Sequence, residues 1–336
     1  MKKKIILSVV AIIILLAGFF AWKIFGAAVS AKKDSYLYIK TGAAYHDVQD
    51  ELVKNEFIGG STWLNLVSKI VGYENIKPGR YQLKDGMSIM SLVRMLKNGQ
   101  QSAVNFSITK IRIREVLAKR TGAAFECDSL QMINFLNSPD SLRPYGLDTN
   151  TAMAVAMPFT YTLKWNTTAG KIFQQFYTAW KVFWTPERKQ KADSLHITPI
   201  EVSTLASIID EETNAVSDMP NIASVYLNRI NKGMPLQADP TLKFALKNFA
   251  LKRVLNIHKE TISPYNTYIN KGLPPGPICT PQTITIDAVL NSPKTDYLYF
   301  VANSDFSGTH IFTTNYEDHM KYARLYQAEL NKRNIK

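Results

Sequence analysis

Ile5 to Trp22 run for 18 residues without a charge, behind Lys2, Lys3 and Lys4. That is close to the shortest apolar stretch that crosses a bilayer core. Lys23 can reach back to the headgroups while Ile24 to Val29 prolong the apolar run. Lysines ahead of the run predict that residues 1–30 are a short cytoplasmic tail and a single transmembrane anchor, with everything after it exported. A cleavable signal peptide is the rival, since Gly26-Ala27-Ala28 supplies small residues near a possible cleavage point. No cysteine lies near residue 20, which excludes a lipoprotein.

The remaining 300 or so residues suffice for two or three domains. A hydrophobic content of 46% with 11% aromatics predicts globular structure rather than disorder. The net charge of +13 would suggest nucleic acid in a cytosolic protein. Behind an anchor, anionic headgroups and envelope polymers are the expected partners, and no nucleic acid is. Cys127 and Cys279 leave open one disulfide or none; with five scattered histidines they match no metal spacing, so neither a metal nor a cofactor is expected.

Residues 36–108 read as a small α/β module. Tyr36–Lys40 alternates as a strand, and Tyr45–Glu56 and Ser61–Val71 are amphipathic helices. Lys77–Leu83 is a turn into a strand, Met87–Leu96 is a helix capped by Ser88, and Val104–Ile108 is a closing strand. Such a unit suits binding, or serves as a spacer. Residues 109–197 read as mainly helical. Helices are expected over Lys110–Thr121 and Ser129–Asn137, with a long one from Thr168 to Ser194 interrupted or kinked near Pro186.

The most informative stretch is Thr198–Thr213. Thr198 can cap a helix, Pro199 suits its first position, and Glu201 completes a capping box. Leu205, Ile208 and Ile209 then make one apolar stripe, and its i+7 position is Glu212. At about 100° per residue Glu212 lies within roughly 20° of the azimuth of Leu205, whereas Asp210 and Glu211 point to either side, towards water. A glutamate against apolar neighbours has its pKa raised and can hold a proton to donate, as a general acid for glycosidic cleavage must. The alternative is a residue that ends the helix at its wet margin or pairs with a base.

Asp218–Gly233 is a second helix, with Asp218 as cap and Gly233 as stop. Met234–Thr241 is expected as a polar loop carrying Gln237 and Asp239. Ser263–Tyr268 and Lys271–Pro281 are rigid loops, and Asp296–Ala302 with His310–Thr314 is a hairpin.

Six of these segments occur in this order in another group of proteins: Ala206-Ser-Ile-Ile-Asp-Glu-Glu-Thr213, Ala223-Ser-Val-Tyr-Leu-Asn-Arg229, Met234-Pro-Leu-Gln-Ala-Asp-Pro-Thr241, Tyr265-Asn-Thr-Tyr268, Gly272-Leu-Pro-Pro-Gly276 and Tyr297-Leu-Tyr-Phe-Val-Ala302. The chain thereby resembles the endolytic murein transglycosylases, the MltG or YceG-like family, densely over residues 198–330. Lys77-Pro-Gly-Arg-Tyr81 extends the likeness to a LysM-like module. The resemblance implies an α+β protein: an N-terminal transmembrane helix, a LysM-like α/β module over 36–108, and a mostly helical lytic-transglycosylase-type catalytic domain with a small sheet over 109–336. The family's catalytic glutamate lands on Glu212, the residue that helical geometry selects.

The same resemblance implies cleavage of MurNAc–GlcNAc β-1,4 bonds in peptidoglycan strands to 1,6-anhydro ends, terminating nascent strands at the bacterial cytoplasmic membrane. The catalytic domain would be extracytoplasmic, with peptidoglycan synthases as possible partners. Asn228, Arg229, Gln237, Asp239, Tyr265 and Asn266 are candidates for holding substrate or positioning Glu212, and Asn228, Arg229 and Asn266 could equally be structural. Asp239 keeps a muramidase open, and a non-catalytic glycan-binding scaffold is a third reading. Two departures stand out. Asp210-Glu211 replaces the family's Glu-Lys, and Phe159 stands where the family has Asp in Phe-Pro-Asp-Thr-Tyr.

Overall fold

A computed structural model describes residues 2–251 and 253–333. Met1, at the head of the expected anchor, and Asn334 to Lys336, at the end of the expected catalytic region, lie outside the described residues, as does Lys252. The fold is a mixed, helix-rich one with three two-stranded sheets among the described residues. The chain forms two compact units. The first holds the residues up to Phe106 with Ala124–Cys127 and Thr162–Thr168, and the second holds Ser107–Ala123, Asp128–Tyr161 and the chain from Ala169 on.

The first unit begins with α1 (Lys2–Phe25), whose most apolar 18-residue stretch has a mean hydropathy of 2.8 and which has no buried residue. Beyond it come β1 (Tyr36–Ile39), α2 (Tyr45–Lys54), α3 (Thr62–Val71), β2 (Gly79–Gln82), α4 (Ile89–Asn98) and β3 (Val104–Ser107). β1 and β2 are antiparallel, with Leu37 opposite Tyr81. Their alternation turns Leu37, Ile39 and Tyr81 into a core shared with Val48, Leu52, Leu64, Val67, Leu92, Val93 and Leu96. Ser88 caps α4 through Ser91 N–H, and Gly99 ends it in the left-handed conformation.

The second unit contains most of α5 (Arg114–Ala124), α6 (Ser129–Asn137), the short α7 (Pro139–Leu142), the start of β4 (Thr160–Leu163), α8 (Ala169–Phe183) and α9 (Pro186–Ser194). Then follow α10 (Pro199–Glu212), α11 (Met219–Asn231), α12 (Asp239–Ala245), α13 (Asn256–Lys259), α14 (Thr283–Leu290), β5 (Tyr299–Ala302), β6 (His310–Thr313) and α15 (Tyr316–Lys332). The helical stretch expected over 168–194 is interrupted just ahead of Pro186, as the sequence allows, and forms two helices. The chain breaks at Trp184, and Thr185 restarts it by accepting from Arg188 N–H ahead of Pro186. The expected hairpin pairs antiparallel, with Phe300 opposite Phe312.

α10 is the axis of this unit. Its capping box forms as expected: Thr198 Oγ1 accepts from Glu201 N–H at 3.3 Å and Glu201 Oε2 accepts from Thr198 N–H at 2.7 Å. Yet the helix is not amphipathic. Every residue from Val202 to Asp210 is buried, because α9, α11, α12 and α14 pack around it. The hydroxyls on its polar flank are satisfied inside the helix. Ser203 and Thr204 donate to the carbonyls of Pro199 and Ile200, and Ser207 to that of Thr204.

Other expectations need correction. Asp210 does not face water but is 3% exposed, held by groups from other elements. Asp218 does not cap α11 with its side chain; its Oδ2 accepts from His310 N–H at 2.6 Å and lies 3.0 Å from His310 Nδ1. The Met234–Thr241 loop ends early, because Asp239 is already the first residue of α12, ahead of Pro240. α14, packed against α10 and α11, was not anticipated. Cys127 and Cys279 are buried thiols, and no disulfide forms among the described residues.

Candidate active site

Glu212 is the last residue of α10, where the fully buried part of the helix meets the surface. One edge of the residue stays accessible, while its carboxyl is set within protein. Tyr226, on the facing side of α11 and 1% exposed, donates its phenolic proton to Glu212 Oε1 at 2.9 Å. Burial dominates the electrostatics of this carboxyl and lifts its pKa from 4.5 to about 7. The Tyr226 hydrogen bond opposes that rise. Asp239 adds to it by repulsion, Lys243 opposes it by attraction, and Glu211 adds a little more. The Tyr226 phenol is itself pushed well above its ordinary range by burial and by the Glu212 charge. At neutral pH the group is therefore divided between acid and carboxylate, which suits a side chain that must first give and then take a proton.

A second carboxyl sits nearby at the start of α12. Asp239 Oδ1 accepts from the Tyr268 phenol at 2.5 Å, and burial together with that bond raises the Tyr268 pKa. Tyr268 also feels the Glu212 charge, so Glu212, Tyr226, Asp239 and Tyr268 form one electrostatic group.

The end of α10 carries three consecutive acids at the negative pole of a helix, an unfavourable placement without compensation. Compensation comes from the segment before α5. Lys110 Nζ donates to the Asp210 carbonyl oxygen and lies 3.5 Å from Asp210 Oδ2 and 3.3 Å from Glu211 Oε1. Arg112 binds Glu211 in bidentate fashion, both contacts at 3.0 Å. Asp210 Oδ1 also accepts from Thr285 Oγ1 at 2.8 Å and Gln282 Nε2 at 3.2 Å, both near the start of α14. The extra negative charge of Asp210-Glu211 is thus neutralised locally. Beside this clamp a cleft of about 70 Å³ is lined by Arg112, Glu211, Lys243, Phe244 and Phe249. It adjoins another of about 200 Å³ that shares Arg112 and Phe244 and includes Arg114 and Tyr265.

The other sequence-derived candidates are distributed unevenly. Asn228 Nδ2 donates to the carbonyls of Thr295 at 2.7 Å and Tyr297 at 2.9 Å. Arg229, 8% exposed, donates from Nε to Leu298 O and from Nη1 to Leu236 O, both at 2.7 Å. These two side chains tie α11 to the segments ahead of β5 and ahead of α12. Asn266, fully buried, donates to the Lys259 and Thr261 carbonyls and accepts from Tyr268 N–H. It builds the turn that presents Tyr268 to Asp239. Tyr265 packs against Phe244 with the rings tilted by 45° and centroids 4.6 Å apart, and burial lifts its phenol to about 12. Gln237 is exposed, in the left-handed backbone region at φ +54°, and its N–H bonds the Thr267 carbonyl. Phe159, in place of the family's Asp, packs on the core around α10.

Tyr226 and Tyr268 were not singled out from the sequence as site residues. A signal existed: Tyr226 falls within an apolar helix pattern, and a phenol buried there needs an acceptor. Lys110 and Arg112 gave no such signal, being separated by about a hundred residues from the acids they pair with.

The profile of the YceG-like family matches residues 37–325. An endolytic murein transglycosylase of Bacillus subtilis is 30% identical over 321 residues, 88% of this chain and 85% of that protein. One from Streptococcus pneumoniae is 26% identical over 86% of this chain, which spans 58% of that longer protein. The crystal structure of a YceG-like protein from Listeria monocytogenes superposes with a TM-score of 0.58 at 26% identity, covering 86% of this chain and 99% of that one. The chain belongs to the YceG-like family.

Proposed function

We propose that this protein is a membrane-anchored endolytic lytic transglycosylase, in which Glu212 cleaves MurNAc–GlcNAc β-1,4 bonds within peptidoglycan strands. The observation that carries the reading is the buried carboxyl of Glu212, raised to about 7 and gripped on one oxygen by Tyr226. With Oε1 accepting from the phenol, the proton resides on Oε2, the oxygen left for substrate. As the C1–O bond of the muramyl residue breaks, Oε2–H protonates the departing GlcNAc oxygen. The resulting carboxylate then takes the proton of the muramyl C6 hydroxyl, whose oxygen closes on C1 and leaves a 1,6-anhydro end. No water is consumed, and Glu212 ends as it began.

Asn228, Arg229 and Asn266 act in this reading as positioning residues through α11 and the Tyr268 turn. Gln237 and Tyr265 line the approach of the strand. α1 spans the cytoplasmic membrane once and leaves the remainder extracytoplasmic, in keeping with its hydropathy and the lysines before it. Residues 36–108 serve as the LysM-like, glycan-binding module.

One observation favours a second reading. Asp239 lies near enough to perturb Glu212, and two carboxyls flanking a glycosidic bond are the apparatus of hydrolysis. Incubation of purified glycan strands with the enzyme, followed by mass spectrometry of the new ends, separates the two. Anhydro ends are expected; reducing MurNAc ends identify a muramidase, and uncut strands refute both.

A further inference from the structure

α3 carries an apolar stripe whose first residue meets α1 and whose other two are left exposed. Trp63, Leu66 and Ile70 stand at i, i+3 and i+7, within an arc of about 60° on the helix. Leu66 is 37% exposed and Ile70 63%, while Leu64, Val67 and Ser68 on the inner side are buried. The stripe begins against α1. The Trp63 ring meets Phe20 edge-on with centroids 5.5 Å apart, and Phe19 at 6.0 Å. Phe19, Phe20 and Trp22 are themselves exposed at the exit of the apolar helix, where aromatic residues concentrate at a membrane surface. The apolar surface of α1 therefore continues onto α3.

Charge follows the same pattern. Neither α3 nor the neighbouring α4 contains an acid. Lys69, Arg94 and Lys97 are exposed on them, and Lys23 closes α1 beside the stripe. Between α1 and α3 opens a cleft of about 460 Å³ lined by Trp22, Lys23, Gly59, Gly60, Thr62 and Trp63. It is walled by indoles, a cation and bare backbone, groups that suit the glycerol-phosphate level of a lipid.

We infer that this face of the first unit is a docking surface for the phospholipid bilayer. α3 lies in the interface, with Leu66 and Ile70 below the headgroups, Lys69, Arg94 and Lys97 among anionic phosphates, and a lipid headgroup in the cleft beside Lys23. The inference rests on the reading of α1 as a membrane span. It makes the module part of the membrane contact rather than a body swinging freely from an anchor.

The test uses the full chain in vesicles of phosphatidylcholine and phosphatidylglycerol with brominated acyl chains. An environment-sensitive fluorophore is attached at Ile70→Cys, Leu66→Cys, the exposed Glu51→Cys on α2, or Leu15→Cys in α1. The native cysteines are buried, and the unsubstituted chain serves as the labelling blank. Labels at 66 and 70 are expected to shift to the blue and to be quenched by bromolipid several-fold more than the label at 51. Equal behaviour at 70 and 51, with the label at 15 quenched, overturns the docking surface and leaves the span intact. No quenching at 15 removes the span, and the docking surface with it.

Discussion

The Tyr226 phenol donates its proton to Glu212 Oε1 over 2.9 Å, so the two oxygens of that carboxyl are inequivalent before any substrate arrives. Tyr226→Phe removes the one bond that stabilises the charged form at short range. The pKa of Glu212 is expected to rise further, moving the alkaline limb of kcat/KM up by about one pH unit. Turnover at neutral pH should fall roughly tenfold, because the proton is no longer confined to Oε2. A pH–rate profile checks this. A purely structural tyrosine would lower the rate without moving the limb.

Glu212→Gln should abolish strand cleavage, by about three orders of magnitude or more. It should also stabilise the fold above neutral pH. The folded pKa of about 7 lies above the ordinary 4.5, so the unfolded chain ionises first as pH rises. Stability contributed by this group is therefore undiminished below about 4.5 and declines up to about 7, by about 3 kcal/mol in total. Thermal melts at pH 5 and pH 8 should show wild type losing ground to the Gln variant as pH rises. Equal shifts at both values would count against a buried acid.

Asp239→Asn separates the two chemistries. Under transglycosylation the variant keeps cutting and keeps yielding anhydro ends, and its alkaline limb moves down because a repulsive charge next to Glu212 is gone. Under hydrolysis it loses activity wholesale. End-group analysis together with the pH profile reads both outcomes.

Lys110→Met strips a nearly buried Asp210 of its cation. A cost of about 2 kcal/mol is expected, below the usual figure for a fully buried pair because Lys110 is itself about a third exposed. Lys110→Met with Asp210→Asn should recover most of it, since the amide can still accept from Thr285. A double-mutant cycle by chemical denaturation tests the coupling.

How far the sequence disclosed this site depends on the range of the interactions. α10 was legible to the residue because its cap, its proline and its Glu201 are local, and the azimuth of Glu212 follows from helix geometry alone. The burial of Asp210 was not, since Lys110, Gln282 and Thr285 come from about a hundred and about seventy residues away. A periodic reading assumes that one flank of a helix meets water, and α14 closes that flank. α12 escaped notice for a related reason: seven residues hold too few turns for a pattern, and Pro240 next to Asp239 reads equally as loop. The hairpin was plain, because Tyr297–Ala302 is apolar and aromatic throughout.

The tie between α11 and the terminal hairpin has an evolutionary corollary. The Arg229 guanidinium lies over the Tyr299 ring, 5.3 Å from its centroid, but the hydrogen bonds of Asn228 and Arg229 go to main-chain oxygens, those of Thr295, Tyr297, Leu298, Pro235 and Leu236. Every residue type offers that oxygen, so drift on the receiving side is tolerated, whereas the two donors have no substitutes. Tolerance to replacement should be lopsided: permissive along the gripped segments, and intolerant at two adjacent positions within one helical turn of the tyrosine that steers the acid.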